Sequence, residues 1–287
     1  MLSVYRKELK TFFSTYTGYI FISFILLTTG IYSWFVNYLN QSPEFEYVLL
    51  NLNFIYLIAV PLITMKTFAE ERRQKTDILL YSLPLKSREI VSGKYAAQLT
   101  LLLIPTAIIC VYPIILTLFG TVSLLTCYSA IVGFFLMGAA LIAIGNFISS
   151  VTESQTVCAI ATFSALFVLY LSRTLANGIS TSALSSLIAV CIITVAVCAS
   201  AAHITKSSLT GIISGIFLLS GAVTVYLYYP KLYEGLLQKF LSFISMFDRL
   251  SYFVTGVFDL TSVVYYLSSA WLFSFLTVCT VEKRRWN

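Results

Sequence analysis

Apolar residues fall along this chain in long, nearly unbroken runs, with neither the strict alternation of strands nor the single stripe of surface helices. A helix needs roughly 20 apolar residues to cross a hydrocarbon core of about 30 Å. Eight candidate spans meet that length: 17–39, 48–67, 95–119, 125–149, 156–174, 183–204, 208–229 and 261–281. The sixth and seventh, joined by the short link 202–208, also fit a pair of re-entrant segments. Pro61, Pro105 and Pro113 fall inside runs, where the lost backbone donor bends a helix that neighbours can re-satisfy. The alternating pattern of a membrane barrel is not found. The pattern predicts an all-α integral membrane protein, a polytopic helical bundle forming one transmembrane domain over 1–287.

Two segments are amphipathic instead. Leu2, Val4, Tyr5, Leu9, Phe12 and Phe13 recur at helical spacing among Arg6, Lys7, Lys10 and Thr11, which predicts an interfacial helix over 1–16. This basic start imitates a signal peptide. The run that follows is too long for one and lacks a small-residue cleavage site, so it is read as a span. Farther on, Leu232, Leu236, Phe240, Phe243 and Phe247 form one stripe over 231–247, beside a belt of Tyr226, Tyr228, Tyr229 and Tyr233. An extracytoplasmic amphipathic segment is expected over 230–260, with Leu236 and Phe240 as candidates for an outer cap on an exit path.

Composition agrees: 59% of residues are hydrophobic and 10% charged, so no aqueous domain of ordinary size fits. The net charge of +6 lies at the edges of apolar runs and not on one soluble face, which argues against nucleic acid. With a cytoplasmic amino terminus, fourteen basic residues fall inside, and Arg173, Lys231, Lys239 and Arg249 fall outside. That asymmetry predicts cytoplasmic termini. Glu44 and Glu46 read as solvated charges of a short outer loop. The six cysteines read as small buried hydrophobes, not metal ligands or disulfides.

Small residues mark close helix approach: Gly211 with Gly215 as a GxxxG pair, and Ala139 with Ala143 beside Gly138 and Gly145. They suit packing within the bundle or a subunit interface. The sequence contains no phosphate loop, no His-Glu-x-x-His and no Gly-x-Ser-x-Gly, so no catalytic residue and no cofactor is expected in this chain. Lys66, Arg173, His203 and Lys206 fall at span ends. Span interiors without ionisable groups disfavour an ion-coupled carrier.

The most informative stretch is an island of charge over 70–94, with ten of the chain's thirty charges in 25 residues. Each such charge at mid-membrane would cost several kcal/mol, so the island is expected outside the hydrocarbon, satisfied by water or a partner. Within it, Thr76-Asp77-Ile78-Leu79-Leu80-Tyr81-Ser82-Leu83-Pro84 followed by Ile90-Val91-Ser92-Gly93-Lys94 resembles the cytoplasmic signature of ABC-2 type transporter permeases. The ending from Phe253 to Trp286 resembles their gliding-motility F-type branch. The resemblance implies a bacterial exporter subunit working by alternating access, with a coupling segment over 68–94. Its partners would be a cytoplasmic ABC ATPase dimer that binds ATP and magnesium, a second permease copy or homologue, and an auxiliary extracytoplasmic gliding-motility G-type subunit. Thr76, Asp77, Leu79, Leu80, Leu83, Pro84, Lys86 and Arg88 are the expected ATPase-coupling residues. A scaffold or sensor whose island binds a cytoplasmic regulator is the competing reading.

Overall fold

The computed structural model describes residues 1–76, 85–178, 235–256 and 258–286, and among these every regular element is helical. Among the described residues six helices are long and apolar enough to cross a membrane: Tyr16–Leu39, Glu46–Arg73, Ser87–Leu116, Leu124–Val151, Gln155–Gly178 and Leu260–Arg285. They coincide with six of the eight expected spans. The expected spans 183–204 and 208–229, with Gly211, Gly215, Cys191, Cys198, His203 and the tyrosine belt, lie outside the described residues. The chain divides into one unit of Met1–Val168 with Met246–Asn287, and a second of Leu169–Ser245.

In the first unit, α1 (Leu2–Ser14) precedes the first span, α2 (Tyr16–Ser33), which ends in a π-helical turn over Trp34–Leu39. The second span is segmented into α3 (Glu46–Leu52), a 3₁₀ turn over Asn53–Ile55, α4 (Tyr56–Thr64), a turn, and α5 (Ala69–Arg73). The third comprises α6 (Ser87–Ile109) and α7 (Val111–Leu116), separated at Cys110. That break follows from Pro113, which cannot bond the carbonyl of Ile109 four residues earlier. Then come α8 (Leu124–Val151), α9 (Gln155–Gly178), which runs on past Val168 into the second unit, α11 (Leu250–Val254) and α12 (Leu260–Trp286). The second unit carries α10 (Leu236–Ile244).

The core is built around α8, whose small residues let its neighbours approach. Ala139 and Ala143 are buried within this chain. At Gly138 a Cβ would stand 2.7 Å from the Tyr56 hydroxyl and 2.8 Å from Leu102, so only glycine admits both. The Tyr56 hydroxyl donates to the Phe134 carbonyl at 3.0 Å and so costs no unsatisfied polar group. The most extensive helix pairing joins α8 to α12, followed by α1 with α6.

Four expectations are corrected. Glu46 is not a solvated loop charge: it opens α3 with 7% exposure and accepts from the Cys127 thiol at 3.1 Å. An acid at a helix start also suits the positive end of the helix dipole. Cys279 is exposed, although Cys127 and Cys158 are buried as expected. The stripe expected over 231–247 ends before Phe247. Its α10 buries none of its residues, Leu236 and Phe240 included, whereas Met246, Phe247, Leu250 and Phe253 are buried in the other unit. There the Tyr266 hydroxyl donates to the Met246 carbonyl at 2.8 Å and Arg249 lies over the Tyr265 ring at 3.9 Å.

Candidate functional site

The fourth correction concerns charge inside a span. Lys94 lies seven residues into α6, about 10 Å along its axis at 1.5 Å per residue, and is 1% exposed. Its ammonium donates to Glu8 at 2.9 Å and to the Thr67 carbonyl at 2.9 Å, and stands 2.9 Å from Glu71, so all three donors are used. Lys7 closes the cluster at 3.2 Å from Glu71 and 3.9 Å from Glu8. Two cations meet two carboxylates, and the cluster is neutral. Lys94 also stands over the Phe68 ring at 5.2 Å, a cation–π contact.

The local sequence explains how these groups meet. In α1 the buried positions are Val4, Glu8 and Phe12, one every four residues, so the carboxylate sits in the middle of an apolar stripe. The stripe docks on α6 at Gly93, where a Cβ would be 3.0 Å from that of Val4. Glycine at 93 therefore brings α1 near enough for Glu8 to reach the next residue, Lys94. Beneath the ions, Gln98 and Asn146 exchange amide hydrogen bonds of 2.6 and 3.1 Å, and Gln98 donates to the Thr67 hydroxyl at 2.6 Å. The Ser149 hydroxyl accepts from the backbone N–H groups of Phe68 and Ala69, both at 3.2 Å. The turn between α4 and α5 is thus held from α6 on one side and α8 on the other.

The same end gathers arginines on the open carbonyls of α8. Arg72 donates to Thr152 at 2.8 Å and to Ser150, Arg284 donates to Val151 at 2.9 Å, and Arg285 reaches the Leu85 carbonyl at 2.8 Å. Cations there complement the negative end of the helix dipole. The end of α5, the start of α6, the end of α8 and the end of α12 therefore share one basic end of the bundle.

Of the coupling residues expected from the sequence, Thr76, Lys86 and Arg88 are described, and all three are exposed. Thr76 closes the turn after α5 through its N–H to the Glu71 carbonyl at 2.9 Å. Lys86 caps α6, its backbone N–H donating to Glu89 at 3.1 Å, and Arg88 lies in the first turn. The third span starts within the charge island, earlier than the hydropathy run suggests. Asp77, Leu79, Leu80, Leu83 and Pro84 lie outside the described residues. The network of Glu8, Glu71, Lys94, Gln98 and Asn146 was missed. Its signals were present: Glu8 is four residues from both Val4 and Phe12, and two amides interrupt apolar spans.

Helices of this length and apolarity, with polar groups paired internally, define a multi-pass helical membrane protein. The ABC-2 family transporter protein family matches residues 8–207, a range that includes Glu8, Glu71 and Lys94. The chain belongs to the ABC-2 transporter family, the membrane components of ABC transporters, which are generally not catalytic themselves. Membership implies an ABC ATPase as partner, typically in a dimer. No curated protein and no solved structure matched the chain.

Proposed function

We propose that this chain is the permease subunit of a bacterial ABC exporter of the gliding-motility F-type branch, with both termini cytoplasmic and the segment 68–94 docking on a separate ATPase dimer. A second permease copy or homologue completes the pathway, and an auxiliary G-type subunit is the further partner of that branch. ATP binding closes the ATPase pair, and the docked segment turns that closure into tilting of the spans. One observation carries the reading. Glu71 and Lys94, on either side of the link 77–84, stand 2.9 Å apart, and Lys94 is bonded to Glu8 of α1. A push on such a link reaches the second span, the third span and α1 together, whereas an untethered loop would absorb it.

The test is ATPase recruitment and coupling. Leu83→Ser removes an apolar anchor worth roughly 1.5–3 kcal/mol if fully buried at the dock. Arg88→Glu inverts an exposed charge. Both variants should insert normally yet release the ATPase or uncouple hydrolysis from transport, while Leu236→Ser and Lys239→Glu should not. Wild-type recruitment and transport in both island variants would favour the scaffold reading.

A further inference from the structure

A groove of about 500 Å³ opens between α8 and α12 at the basic end, and no step of the proposed transport cycle uses it. We propose that it binds an anionic phospholipid. Its volume lies within the roughly 300–1,000 Å³ of small-molecule sites. Phe147 and Val151 line one wall, four residues apart on α8, and Leu276 and Thr280 line the other, four apart on α12. Helical spacing turns each pair to the same side. Lys283 and Arg284 stand at the rim, beyond Leu276 by about 10 Å along the helix axis.

An apolar slot beside a span, ending in cations where the span leaves the hydrocarbon, matches an acyl chain continued by a phosphate. Arg284 is partly engaged: it donates to the Val151 carbonyl and lies 3.5 Å from the largely exposed Glu153. Lys283 is exposed and makes no hydrogen bond or ion pair among the described residues. A zwitterionic headgroup would bring its own ammonium against Lys283, so the charge selects an anionic lipid. The site depends on the membrane-spanning assignment alone, and its failure would leave the transport reading untouched.

Native mass spectrometry of the full-length purified protein, titrated with phosphatidylglycerol or phosphatidylcholine of matched chains, tests the site. Phosphatidylglycerol should be retained in preference. Lys283→Gln should weaken it about fivefold, the equivalent of the roughly 1 kcal/mol that one cation contributes at an anionic surface. Thr280→Trp, which fills the slot without changing charge, should weaken both lipids. Lys10→Gln, which removes an exposed cation from another helix, should change neither. Equal retention of the two lipids, an unaffected T280W, or the same loss in K10Q as in K283Q would each overturn the site in favour of unspecific attraction.

Discussion

Lys94 and Glu8 are 86 residues apart in the chain and 2.9 Å apart in the fold. With Glu71 they join α1 and the second and third spans through charges withdrawn from water, the arrangement most sensitive to loss of one member. Lys94→Met leaves two adjacent carboxylates with only the half-exposed Lys7, and breaking a buried pair in this way costs about 3–5 kcal/mol. Adding Glu8→Gln and Glu71→Gln should recover much of that, because no buried charge remains. Thermal unfolding of the purified protein reads both effects. A K94M protein as stable as its parent would deny the cluster any structural role.

The contact at Gly93 offers a way to ask whether α1 moves. A Cβ at Gly93 lies 3.0 Å from that of Val4, near the roughly 3.5–4.5 Å of a disulfide. In a cysteine-free background, Val4→Cys with Gly93→Cys should therefore cross-link on oxidation with a small local shift. If α1 follows the third span during the cycle, as the proposed coupling requires, oxidised protein should transport at the rate of the reduced protein. Arrest on oxidation that reduction relieves would show that α1 slides against α6 and would overturn their movement together.

Sidedness is open to labelling. Ser87, although in the charged loop by sequence, is buried, so Gln74, which is exposed, is the better reporter at the basic end. In the same background, Glu44→Cys should react with an impermeant thiol reagent added to intact cells, and Gln74→Cys only after lysis. The opposite pattern would invert the proposed orientation.

Asp259 caps α12, accepting from the Ser262 hydroxyl at 2.6 Å and from the N–H groups of Thr261 and Ser262, both at 3.1 Å. The Ser262 hydroxyl is the main cause that holds this carboxyl below the usual carboxylate range, against an opposing effect of desolvation, and the N–H groups of Thr261 and Ser262 add to it. Because the folded value is depressed, the cap's contribution is complete above the unfolded value of about 3.9 and is lost as pH falls through the folded one. Amide exchange at Thr261 and Ser262 should accelerate over that acid window, and Asp259→Ala should abolish the dependence. An unchanged pH profile in the alanine variant would show that the cap is idle.

The six described spans were legible because span length is set by bilayer thickness and hydropathy records it directly. The coupling of charges was not. Glu8 sits among Arg6, Lys7 and Lys10, which are solvated, and nothing local separates a buried acid from an exposed one in such a run. Only the period of four through Val4 and Phe12 marks it. Lys94 looked like the last charge of a loop because hydropathy averages hide a helix that has already begun at Ser87. Glu46 was misread for a related reason, since its thiol partner Cys127 lies far along the chain. Pairing across spans is a tertiary fact, and a linear pattern carries only the residue types that allow it.

The ion cluster also has an order of synthesis. Glu8 and Glu71 both precede Lys94 in the chain, so both anions are already made when the third span leaves the ribosome. A lysine entering the bilayer alone is expensive, by roughly 2.5–3.5 kcal/mol at the centre of an inserting helix. Here its counter-ions are made before it, so the pairing that ties α1 to the second span closes only once the third span has been added.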